Sequence, residues 1–167
     1  MQLSDGVARM GQVVFNAPGL SELKALGLGS CIGLCAFDPV TKIGCIAHIV
    51  LPQARSADTP EPIKYADTAI PHMIEEMSRR GAIKTRLKTA IVGGAQLFNF
   101  EAPNGALDVG KRNIEAVKRL LSKANLRLVA EEVGGNMGRT VILNTQTGEV
   151  LIRQAGTPDR KLATLLS

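Results

Sequence analysis

Apolar positions along this chain fall into two patterns: short runs that are apolar on both faces, and longer segments where they recur every three or four residues. Cys31–Phe37 (CIGLCAF) and Ile43–Leu51 (IGCIAHIVL) are of the first kind. Runs of that length with no polar face predict buried strands. Between them Asp38-Pro39-Val40-Thr41-Lys42 puts proline where a type I turn favours it, so the pair predicts a β-hairpin. Gln12–Phe15, Thr89–Val92 and Leu126–Val133 are further strand candidates, and Thr140–Asn144 with Glu149–Gln154 flank Thr145–Gly148 as a second hairpin. The helical period appears twice. Tyr65–Arg80 gathers Ala66, Ala69, Ile70, Met73, Ile74 and Met77 on one face and ends before Gly81. Pro71 lies inside it, which predicts either a kink or a helix that starts near Asp67. Gly110–Ala124 gathers Ile114, Val117, Leu120 and Leu121, with Asp108 near the N-cap and Asn125 at the stop. Gln53–Pro62 reads as an exposed loop rather than a domain boundary. The order of elements predicts one domain over residues 1–167, of the α/β (α+β) class, with largely antiparallel β-sheets and helices packed outside.

Composition narrows this further. The 167 residues are 45% hydrophobic and 21% charged, a globular balance with enough chain to bury a core. Aromatics are 3% with no Trp, so the core is aliphatic. No apolar run approaches the roughly 20 residues of a membrane helix, and the N-terminus lacks a secretory pattern. The expected location is the cytoplasm, without membrane insertion. Three cysteines in such a chain argue against a disulfide framework. A net charge of +5 favours an acidic partner. The basic residues are scattered and stacking aromatics are few, so nucleic acid is not expected.

The chemistry gathers at the first hairpin. His48 sits in the apolar run Ile46-Ala47-His48-Ile49-Val50, where an imidazole is costly unless its nitrogens find partners. One reading is a core histidine bonded to a backbone carbonyl. The other is a base for Cys31, which follows the glycine-rich stretch Gly27-Leu28-Gly29-Ser30. If Phe37 pairs with Lys42 around a four-residue loop, Cys31 pairs with His48, and their Cβ atoms lie about 4.5–5.5 Å apart. A slip of one residue puts them on opposite faces, and the turn alone does not choose the register. Paired, the imidazole would take the thiol proton, with sulfur about 4 Å from a ring nitrogen. Backbone N–H groups beside the glycines would face a developing oxyanion. Cys31 as a small buried hydrophobe is the competing reading, and it is the one expected for Cys35 and Cys45. His72, the only other histidine, lies on the first helix, so neither a metal site nor a cofactor is expected. Gly93-Gly94 and Gly134-Gly135-Asn136-Met137-Gly138-Arg139 fit neither phosphate-loop nor dinucleotide spacing and read as turns.

Leu26-Gly27-Leu28-Gly29-Ser30-Cys31 followed by Ala47-His48-Ile49-Val50-Leu51-Pro52 resembles the CheD family of chemoreceptor glutamine deamidases. The likeness continues in order through Lys64-Tyr65-Ala66-Asp67-Thr68-Ala69, Gly93-Gly94-Ala95, Gly110-Lys111-Arg112-Asn113 and Gly134-Gly135-Asn136. It implies a cysteine hydrolase fold similar to that of deamidating toxins, and a cysteine-dependent protein-glutamine glutaminase with Cys31 as nucleophile and His48 as base. It also implies two partners, the helices of methyl-accepting chemotaxis receptors and the CheC phosphatase, which compete for one surface. The family's third catalytic residue is a threonine where this chain has Ala25. The imidazole's orienting partner is then expected to be a backbone carbonyl or a water. A non-catalytic adaptor that binds receptors and CheC is the alternative function.

Overall fold

The computed structural model describes residues 4–97 and 108–166. Nine strands and two α-helices follow one another in the described chain: β1 Val13–Phe15, β2 Glu22–Leu28, β3 Ile32–Asp38, β4 Ile43–Ile49, α1 Ala66–Arg79, β5 Lys88–Gly93, α2 Val109–Lys123, β6 Arg127–Val133, β7 Arg139–Asn144, β8 Glu149–Arg153 and β9 Arg160–Thr164. They form a five-stranded sheet in the order β1-β4-β3-β5-β6 and a four-stranded sheet in the order β2-β7-β8-β9. Every strand pair is antiparallel except β5 with β6. This is an α+β fold with both helices on the outer face of the larger sheet.

The two apolar runs become β3 and β4, neighbours at the centre of that sheet. They lack a polar face because each is covered twice. Ile32, Leu34, Ala36, Cys45, Ala47 and Ile49 face the helices, packed with Ala66, Ile70, Met73, Met77, Val117 and Leu121. Cys31, Cys35, Phe37 and Ile46 face the second sheet, packed with Leu23, Ala25, Leu28, Val141 and Leu143. Each fully buried aliphatic chain contributes about 1.5–3 kcal/mol. Helix α1 begins at Ala66 and continues through Pro71 to Arg79. The missing N–H costs about 3 kcal/mol, and burial of Ile70, Met73 and Met77 on either side offsets it. Asn125 ends α2 in the left-handed conformation, φ 59°. Asp108 stands at the α2 N-cap but makes no side-chain capping bond.

The hairpin register differs from the expected one. Asp38 pairs with Ile43 and Gly33 with His48, so Cys31 is not directly opposite His48. The loop is Pro39 to Lys42, one residue later than anticipated. The Asp38 carboxylate accepts the Val40 N–H at 2.9 Å, and Lys42 takes the left-handed conformation at φ 59°, which closes the turn. Both partners shift by one, a total slip of two, so side-chain parity is preserved.

Candidate active site

Because the slip is even, Cys31 and His48 keep the same face of the sheet, the one toward β2 and β7. Cys31 packs in the inter-sheet cluster with Ile46, which is two residues from His48 on β4. The two are therefore diagonal rather than direct neighbours, about 7–8 Å apart between backbones and within reach of an imidazole. The residue directly opposite His48 is Gly33. It adds no side chain between ring and thiol, and a Cβ there would lie 2.9 Å from both Leu28 Cδ1 and Val141 Cγ1. That glycine lets the second sheet approach and leaves the diagonal open. Among the described residues no hydrogen bond joins Cys31 Sγ to the ring.

The N-terminal segment holds His48 at three points. The Gln12 carbonyl accepts its backbone N–H at 2.9 Å, and its own carbonyl accepts from Gly11 N–H at 2.9 Å. Its ring Nδ1 lies 2.8 Å from the carbonyl oxygen of Ala8. A carbonyl only accepts, so Nδ1 carries the proton and Nε2 keeps its lone pair. Ala8 is in turn fixed to β2 through its N–H, donated to the Lys24 carbonyl at 2.8 Å.

The loop before β3 is held just as closely, through its carbonyls. Gly29 O accepts from Ala95 N–H at 2.8 Å and Cys31 O from Gly94 N–H at 2.9 Å. Between them Ser30 O accepts from Asn113 Nδ2 at 2.9 Å. In a trans peptide the N–H points opposite to the C=O, and no peptide here is cis. The N–H groups of Ser30 and Cys31 therefore face away from these donors. Neither is a donor to a protein acceptor among the described residues.

Electrostatics favour the neutral pair. Burial pushes the Cys31 thiol above its ordinary range. Burial also lowers His48, partly countered by the Ala8 carbonyl. Both shifts favour thiol and imidazole over thiolate and imidazolium. Cys31 is 8% and His48 4% exposed, whereas Cys35 and Cys45 are fully buried. Burial drives Cys45 up to about 12 and Cys35 higher still, and Cys45 packs its sulfur 3.7 Å from Met77 Sδ. His72 is half-buried on α1 and forms no part of the inter-sheet cluster that holds Cys31.

A family model for CheD chemotactic sensory transduction matches residues 50–154, beginning just after His48. A protein of Desulforamulus reducens named probable chemoreceptor glutamine deamidase CheD is 45% identical over 139 residues, covering 83% of this chain and 84% of that protein. Proteins of the same name from Clostridium novyi and Clostridium botulinum are each 43% identical over 136 residues, covering 81% of this chain and 84% of theirs. The chain belongs to the CheD family. Ala25, where the sequence resemblance implies a threonine, lies fully buried in β2, 3.6 Å from where a Gly33 side chain would begin. Two groups beside the predicted pair become visible only in the fold. The Ala8 carbonyl has no sequence signature, since any residue supplies one. Asn113 lies within the Gly-Lys-Arg-Asn stretch, but its partners are backbone atoms far away in sequence. Among the described residues no helix is long and apolar enough to cross a membrane.

Proposed function

We propose that this chain hydrolyses glutamine side chains of chemoreceptors to glutamate, with Cys31 as nucleophile and His48 as general base and acid. The observation that carries the reading is His48's ring: Nδ1 is committed to the Ala8 carbonyl at 2.8 Å, and Nε2 is left as a base on the face that Cys31 shares. Nε2 takes the thiol proton as Sγ attacks the side-chain carbonyl carbon of glutamine. Proton transfer accompanies attack, because burial opposes a preformed ion pair. The thiol-to-ring contact closes when substrate fills the site, as catalytic hydrogen bonds often do. The N–H groups of Ser30 and Cys31 hold the oxyanion. His48 gives its proton to the departing nitrogen, and ammonia leaves a thioester. Water, deprotonated by His48, attacks the thioester carbonyl and releases glutamate, and the proton on His48 returns to the sulfur.

The Ala8 carbonyl takes the orienting role that the family threonine would fill. Leu97, about half exposed, lies over Gly29 and gives the nucleophile an apolar rim suited to a receptor helix. CheC phosphatase is a second proposed partner on the same surface. Ala25 in place of threonine favours the alternative, a non-catalytic adaptor for receptors and CheC. Ammonia release from a purified chemoreceptor fragment separates the readings. Deamidase activity predicts release with the wild-type chain and none with Cys31→Ala, whereas an adaptor releases none with either.

A further inference from the structure

Asn113 is the fifth residue of α2, fully buried, in a helix whose other polar residues face outward. Asparagine is a poor helix former, and burying its carboxamide is costly unless all its groups are bonded. Its Oδ1 is buried with no hydrogen-bond partner among the described residues. Its Nδ2 makes two bonds, to Ser30 O at 2.9 Å and to Val50 O at 2.9 Å. Both acceptors are carbonyls, so the nitrogen must be the atom that faces them. An aliphatic residue here would remove the orphaned oxygen but leave two buried carbonyls without donors.

The two carbonyls belong to the two halves of the proposed site. Ser30 directly precedes the nucleophile, and Val50 lies two residues beyond the base. One side chain thus spans the nucleophile loop and the base strand from beneath. The bond to Ser30 O also sets the peptide plane whose other end is the Cys31 N–H. Helix α2 can bring Asn113 this close because Gly110 packs on the Gly94–Ala95 backbone, where a Cβ would lie 2.6 Å from each of their carbonyl oxygens.

Resting on the proposed mechanism, we infer that Asn113 is a positioning residue for deamidation: it aims the Cys31 N–H at the reacting carbonyl's oxygen. An oxyanion donor acts on the transition state rather than on bound substrate, so its misplacement lowers kcat and spares KM. Alkylation of Cys31 by iodoacetamide forms no oxyanion. It depends on His48, which is held from the opposite side by Ala8, Gly11 and Gln12.

The test uses the full chain with Asn113→Ala and the milder Asn113→Ser, which keeps one donor. Three quantities are read: kcat and KM for ammonia release from a chemoreceptor fragment, iodoacetamide alkylation of Cys31 against pH, and thermal melting. The expected result for Asn113→Ala is a kcat loss on the order of 100-fold, with KM within about threefold. The alkylation profile stays unchanged, and Asn113→Ser falls between Asn113→Ala and wild type. If Asn113→Ala does not fold, Asn113→Ser alone decides by the same criteria. A kcat within about twofold of wild type overturns the inference, as does a loss matched by equally slowed alkylation or carried by KM alone. Cys31→Ala run in parallel separates the two levels. Ammonia release by that variant overturns the proposed mechanism. An inactive Cys31→Ala beside a fully active Asn113→Ala overturns only the role of Asn113.

Discussion

The two ends of the β3–β4 hairpin bury polar groups in opposite ways. At the turn, Asp38 is fully buried and fully answered. It accepts N–H groups from Val40 and from Ile83 at 2.9 Å each, and the Arg86 guanidinium pairs with it at 2.9 Å. Burial alone would raise its pKa, but the Arg86 and backbone bonds outweigh that and hold it at about 2. At the open end, Cys31 and His48 are buried without a charge partner, and burial shifts both against ionisation. The carbonyls of Gly29, Ser30 and Cys31 are satisfied, while the N–H groups opposite the first two of them are not. One end spends its hydrogen bonds on stability. The other leaves His48 Nε2 and the Ser30 and Cys31 N–H groups without protein partners among the described residues, which is what the proposed mechanism needs.

Substitutions at the two ends should therefore separate activity from stability. The largest effect belongs to the open end. Cys31→Ala is expected to abolish deamidation while circular dichroism and melting stay near wild type, since one small buried thiol is a minor part of the core. His48→Ala should be nearly as inactive, and its Cys31 should alkylate more slowly at neutral pH for want of a base. Equal alkylation rates in the two proteins would dissolve the pair.

The turn should behave in the reverse sense. Asp38→Ala strands three backbone N–H groups, those of Val40, Thr41 and Ile83, and the Arg86 charge, and should cost roughly 3 kcal/mol in denaturant unfolding. Turnover per folded molecule should be unchanged. Asp38's folded pKa is depressed, so its contribution is present above its unfolded value of about 4 and is lost as pH falls toward about 2. An acid-unfolding curve that does not differ between wild type and Asp38→Asn would contradict this assignment.

The open end has its own pH signature. With Cys31 raised and His48 lowered, kcat/KM should climb as His48 loses its proton below the ordinary imidazole range. Iodoacetamide alkylation should keep rising into the alkaline range as the thiol ionises. A preformed ion pair would instead level off below neutral pH, and such a plateau would refute the neutral pair.

The smallest effect is expected at Ala25. Nδ1 of His48 already has the Ala8 carbonyl, and Ala25 has no exposed surface. Ala25→Thr should change kcat/KM by no more than about threefold and lower the melting temperature by crowding the inter-sheet core. A gain of tenfold or more would mean that the hydroxyl is limiting.

What the sequence disclosed follows from which interactions are local. The hairpin was legible because two doubly apolar runs flank an Asp-Pro turn. Its register was not, because the turn is closed by the Asp38 carboxylate, and that carboxylate is held by Ile83 and Arg86, more than forty residues away. Strand β2 is not legible in the sequence because a bulge between Ala25 and Leu28, with Gly27 at φ 60°, breaks its alternation, so Leu23, Ala25 and Leu28 are the residues turned inward. Strand β9 is an edge strand of mostly polar residues and carries no apolar period. The thiol and imidazole could be named from their strands and neighbours. The carbonyl that orients the ring could not, because backbone atoms leave no mark on a sequence.

The most direct test is mass spectrometry of a chemoreceptor co-expressed with the wild-type chain, Cys31→Ala or His48→Ala, read peptide by peptide for glutamine converted to glutamate. The expected result is conversion at defined glutamines with wild type and none above background with either variant. Conversion that persists with Cys31→Ala, at the same glutamines and to a similar extent, would contradict the cysteine mechanism.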